Sequence, residues 1–113
     1  ICWCSYGVSD SRSFASPDNS WDYIAVRGLG LIDVMLCPHL DADPRRRDAM
    51  MSVAPRHQLA RLGLDDCTAL EVIDDRWRVL SSREASGAFL VTPSGVRREL
   101  APDSRYRPLA QLA

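Results

Sequence analysis

Apolar residues in this chain fall into short runs separated by clusters of Asp, Ser, Gly and Pro, a pattern of strands and turns more than of long helices. The opening "ICWCSY" is apolar and compact, and it leads into "GVSDSRSFASPDNS", which reads as an irregular surface loop. In "WDYIAVRGLGLIDVMLCPH" a Gly-Leu-Gly turn precedes "IDVMLCP", whose β-branched and apolar content with a closing proline predicts a short buried strand. His39 stands just past its end. Asp43 and Pro44 suit a helix cap and a first helical position, and Ala49, Met50, Val53 and Ala54 share one helical face before Pro55 ends the helix. Met50 and Met51 read as core fillers. Farther on, "QLARLGL", "TALEVID", "RWRVLSS", "GAFLVTP" and "VRRELA" are separated by "DD", "DD", "REAS" and "PSG", a run of strands and tight turns with a hairpin at "DDRW". The final "PDSRYRPLAQLA" reads as a loosely held tail.

Length and charge narrow the function classes. A chain of 113 residues is one domain or a piece of one, and 46% apolar with 26% charged residues is the balance of a folded globular protein. Fourteen basic residues, all arginine, against fifteen acidic ones leave a net charge of −1, which gives no field to draw nucleic acid or an anionic membrane. The longest apolar run is broken by Asp33 and falls well short of the roughly 20 residues of a membrane span. No basic region followed by an apolar segment opens the chain, so no signal peptide is read. Cys2, Cys4, Cys37 and Cys67 lack a compact disulfide spacing, which points to reduced thiols and a cytoplasmic setting.

An imidazole at the mouth of a buried strand can take a proton from a nucleophile and return it to a leaving group, provided that a carboxylate holds its other nitrogen. His39 has that place, and its plainer reading is a turn histidine. Asp65 and Asp66 in "GLDDCTAL", Asp41 and Asp43 beside the predicted helix, and Asp10 in the early loop are all candidate partners; spacing does not choose among them. Cys2, Cys4, Cys37 and His39 offer three thiolates and an imidazole to a tetrahedral zinc, although neither Cys-x-Cys nor Cys-x-His is a usual knuckle. The arginines at 45 to 47 could grip a carboxylate or phosphate, with a solvated helix face as the plainer reading. His57 sits in a polar turn, and there is no glycine-rich phosphate loop, so no cofactor is expected.

Taken in order, "ICW", "SDS", "GLGLI", "CPHLD", "RRR" and "LGLDDCTALEV", followed by a string of strands, resemble the C-terminal half of the peptidase E family, the aspartyl dipeptidases and their relatives. The resemblance runs from Ile1 to about Leu100. It implies an α/β fold: the C-terminal part of a mostly parallel three-layer sheet, like that of class I glutamine amidotransferases, with an added β-hairpin region. In the family a Gly-x-Ser-Ala-Gly elbow carries the nucleophilic serine and a segment like "ICW" follows it. The chain begins at that point, so residues 1–113 are expected to be a partial, truncated domain without the serine. Residue by residue, the family's catalytic histidine matches His39 and its partner acid matches Asp66, where many relatives carry the longer Glu. An aspartate implicated in some members matches Asp10.

The implied function is a serine-type hydrolase that cleaves Asp-X dipeptides or related small amides through a Ser-His-acid triad. A small peptide is the expected partner of the complete enzyme, and this chain alone is expected to be inactive. An uncovered sheet edge and helix face would lower its stability and favour association, a homo-oligomer included. A non-catalytic relative acting as a binding or interaction domain is the alternative from another class.

Overall fold

The computed structural model describes residues 1–12, 22–53 and 58–112. At its centre lies β3 (Ile32–Cys37), a strand buried on both sides: Val34 and Leu36 enter one core, Met35 and Cys37 the other. Two-sided burial is why the sequence here runs V-M-L-C without a polar residue at every second place. β1 (Cys4–Ser9) and β4 (Ala60–Leu64) flank it, both parallel, with Gly7 opposite Leu36 and Leu36 opposite Leu62. Outside these, β2 (Ile24–Arg27) pairs antiparallel with β1, β7 (Ala88–Val91) antiparallel with β4, and β8 (Arg97–Leu100) antiparallel with β7. The result is a six-stranded mixed sheet of order β2-β1-β3-β4-β7-β8 with a parallel centre, an α/β fold of the class the sequence implies.

Each face of the sheet has its own cover. Helix α1 (Arg45–Ser52) brings Ala49 and Met50 against Val8, Met35, Cys37, Leu40, Phe89 and Val91. On the other face a second sheet, β5 (Thr68–Ile73), β6 (Arg76–Ser81) and β9 (Arg107–Pro108), brings Trp77 and Val79 against Leu36, Leu62 and Leu90. Side chains as fully buried as Met35 and Leu62 contribute roughly 1.5–3 kcal/mol each. The "DDRW" hairpin forms as read, with Asp74 in the left-handed region (φ 54°) that Asp tolerates better than bulkier residues.

Two expectations change. β1 and β2 are strands where the sequence reads as a compact opening, the start of a loop and an unassigned stretch. Gly7 and Ser9 in β1 have low strand propensity, and pairing with both β2 and β3 overrides it. The C-terminal stretch is docked, not loosely held: Arg107 and Pro108 pair with β6, Pro108 O accepts from Trp77 Nε1 at 3.0 Å, and Leu112 is 1% exposed. The helix end at Ala54 and Pro55, the turn at His57 and most of the early loop (13–21) lie outside the described residues. No helix among the described residues is long and apolar enough to cross a membrane.

Candidate active site

Three neighbouring parallel strands end on the same edge of the sheet, and a candidate residue follows each. Asp10 comes directly after β1, His39 two residues after β3, and Asp66 two residues after β4. Neighbouring strands lie about 4.8 Å apart, so side chains from adjacent strand ends can meet. His39 and Asp66 do: Nδ1 of the imidazole bonds directly to Oδ1 of the carboxylate. The shorter Asp reaches because the two loops are drawn together. Leu40 N–H donates to Leu64 O at 2.8 Å, and Leu40 packs over Gly63, where an added Cβ would stand 2.5 Å from Leu40 Cδ2. His39 takes a left-handed backbone (φ 54°), a conformation that non-glycine residues adopt at a cost and that recurs at functional sites.

A carboxylate can only accept, so the proton on this bond belongs to Nδ1, and Nε2 of the neutral ring is left as an acceptor. The His39 side chain is 62% exposed, and Nε2 has no hydrogen-bond partner among the described residues. One nitrogen is held and the other is open, the arrangement a general base needs.

The competing aspartates have other work. Asp65 is tied to the strand β7 side: its N–H donates to Gly87 O and its Oδ2 accepts from Gly87 N–H, both at 3.0 Å. Asp43 stands two residues before α1, accepting the Arg45 N–H at 2.9 Å and the Tyr23 hydroxyl at 2.8 Å. The Arg45 side chain, then its N–H, then Tyr23 hold the Asp43 carboxyl well below the usual carboxylate range. Asp41 turns toward Asp66, whose N–H it accepts at 2.7 Å. Asp10 meets Arg46, whose Nη2 donates to its Oδ2 at 2.8 Å; Nη1 of the same guanidinium donates to Pro38 O at 3.2 Å.

The three arginines thus have three fates. Arg45 pairs with Asp43, and Arg47 lies over the Phe89 ring at 4.3 Å near Glu99. Arg45 and Arg47 are exposed, as a solvated face for most of the run implies, whereas Arg46 is buried and bridges the ends of β1 and β3. The zinc set does not assemble: Cys4 packs in the core beneath the small sheet and Cys37 in the core beneath α1. Burial pushes the Cys37 thiol up to about 11, which opposes the thiolate that zinc binds. Among the described residues no group of three or more His, Cys, Asp and Glu is placed to hold a metal. Sequence reasoning gives no sign of Arg83, which lies 42 positions from Asp41 and pairs with it beside the site.

The sequence model of peptidase family S51 matches residues 1–80. The chain belongs to peptidase family S51. This is the peptidase E family, and membership supports a peptidase of the dipeptidase E kind. The matched segment contains Asp10, His39 and Asp66; it ends at Leu80, earlier than the Leu100 that the sequence motifs suggest. No curated protein matches the chain.

Proposed function

We propose that this protein is the histidine-and-acid part of a serine dipeptidase that cleaves Asp-X dipeptides or related small amides. The observation that carries the reading is the His39–Asp66 bond at adjacent parallel strand ends, with Nε2 open, inside the segment matched by a peptidase family. The nucleophile this reading calls for is the serine of the elbow that, in the family the chain resembles, a segment like "ICW" follows. Its Oγ attacks the scissile carbonyl while His39 Nε2 takes the hydroxyl proton; the resulting imidazolium then gives that proton to the leaving amine. Water then attacks the acyl carbon as it loses a proton to Nε2, and the imidazolium returns that proton to the serine Oγ as the acyl–Oγ bond breaks and the acid product leaves. Asp66 holds the ring in the Nδ1–H tautomer and balances the imidazolium charge. Asp10 acts at one remove, through Arg46 and the Pro38 carbonyl that precedes His39.

Hydrolysis of an Asp-X dipeptide by the polypeptide extended upstream of Ile1 tests this. Turnover that His39→Ala removes supports the proposal. The extended polypeptide failing to hydrolyse, with a serine present upstream, would leave a non-catalytic binding relative. Residues 1–113 alone are expected to show no turnover.

A further inference from the structure

We propose that Asp41 is a positioning residue for the His39–Asp66 pair, holding the Asp66 main chain through its Oδ1 while Arg83 fixes its Oδ2. This rests on the triad reading for its catalytic meaning, and on geometry alone for its structural content. The three residues of the acid loop are tied differently. Asp65 exchanges hydrogen bonds with Gly87, and Cys67 O accepts from Ser82 N–H at 3.0 Å and from the Ser81 hydroxyl at 3.2 Å. Both of those anchors lead away from His39. The Asp66 N–H instead goes to a carboxylate two residues beyond the base, at 2.7 Å. Asp41 therefore ties the loop that carries the acid to the loop that carries the base.

The far end of the link is anchored as well. Arg83 pairs with Asp41 through Nη2 and donates from Nε to Ser86 Oγ, and Ser86 is 2% exposed. The Asp66 N–H, followed by Arg83, keeps the Asp41 carboxyl below its ordinary range, so it stays an ionised acceptor at neutral pH. Asp66 sits between αL residue Cys67 (φ 61°) and Asp65, so freeing its N–H lets the peptide rotate and the carboxylate swing off Nδ1.

Ring nitrogen NMR of His39 tests the proposal directly, because the 15N shifts report which nitrogen holds the proton. Wild-type protein is expected to show the Nδ1–H form; Asp41→Ala should shift His39 toward a mixture of tautomers, and Asp41→Asn, which keeps an acceptor oxygen, should restore most of the wild-type signal. In the active enzyme Asp41→Ala is expected to lower kcat about tenfold with little change in KM. That loss should largely vanish in an Asp66→Asn background, where the positioned carboxylate is already gone. Unchanged ring shifts in Asp41→Ala overturn the proposal whatever the rate does, and so does an equal kcat loss in both backgrounds. If Asp41→Ala does not fold, Arg83→Gln at its half-exposed site should move the shifts the same way by less, and no movement there counts equally against it. An enzyme without hydrolase activity would defeat the triad reading and leave the NMR result to decide on Asp41.

Discussion

The two ends of the parallel strands are built from different materials. At the amino end, the turn between β2 and β3 is held to the start of β1 by main-chain bonds: Gly28 N–H to Ser5 O, Leu29 to Cys2, Gly30 to Cys4, and Leu31 and Ile32 to Trp3. Its side chains are exposed and mostly apolar, with Trp3, Leu29 and Leu31 all more than 60% accessible, and Ser5–Asp33 supplies one polar link at 2.9 Å. At the carboxyl end, main-chain bonds such as Leu40 N–H to Leu64 O are joined by many side-chain links: Arg46 to Asp10 and Pro38, Asp43 to Arg45 and Tyr23, Asp41 to Asp66 and Arg83, Asp66 to His39. Main-chain bonding holds a turn whatever its side chains are. Linking loops by side chains makes the position of each group depend on particular residues, which is what a reacting centre requires.

The contrast can be broken at several points. The largest effect is expected for His39→Ala and Asp66→Asn in the active enzyme, a fall in kcat of about 10³–10⁴-fold. Because the His39 side chain is exposed and that of Asp66 partly so, their thermal unfolding should stay within about 1 kcal/mol of wild type. Arg46→Met comes next. It leaves the Asp10 carboxylate and Pro38 O without their donor and is expected to cost roughly 1–3 kcal/mol, read as a lower midpoint in urea.

Acid should reveal the same asymmetry. Asp41 and Asp43 at the carboxyl end have carboxyls held low in the folded state, by the Asp66 N–H and by the Arg45 side chain respectively. The unfolded chain therefore binds more protons than the folded one below the ordinary Asp value of about 3.9, so their stabilisation is present above that pH and is lost as pH falls toward the folded-state values. Stability measured against pH should fall on the acid side, and Asp43→Asn should flatten that fall. The smallest effect belongs to the amino end: Leu29→Ser and Leu31→Ser should change stability by no more than about 0.5 kcal/mol and leave kcat unaltered.

Local pattern carried much of this architecture. β3 announces itself as an unbroken apolar run with a proline stop, the later strands as short runs between acidic and Gly-Pro-Ser turns, and α1 by the Asp43-Pro44 start. β1 and β2 escape because Gly7, Ser5 and Ser9 become strand residues through long-range pairing, which leaves no local trace. The docked C-terminus escapes for a related reason: Pro108 pairs with β6 and Leu112 packs in the core, against partners distant in sequence.

At the site, residue types marked His39 by its place after a strand, and motif resemblance singled out Asp66. Nothing in the spacing separates Asp66 from Asp65; the difference is that Gly87 occupies the Asp65 carboxylate. Asp41 reads equally well as a helix cap, and the partner that distinguishes it, Arg83, is distant in sequence. The residues proposed to carry chemistry were legible by type and place for His39 and by resemblance for Asp66, and those that hold them in place were legible only through tertiary contacts.

The most direct test is to treat the polypeptide extended upstream of Ile1 with a fluorophosphonate and map the labelled residue by peptide mass spectrometry. The account predicts label on one serine N-terminal to Ile1, lost on denaturation and greatly slowed by His39→Ala. A folded protein that takes no label, or takes it with equal speed without His39, would contradict the assignment of His39 and Asp66 as the base and acid of a serine peptidase.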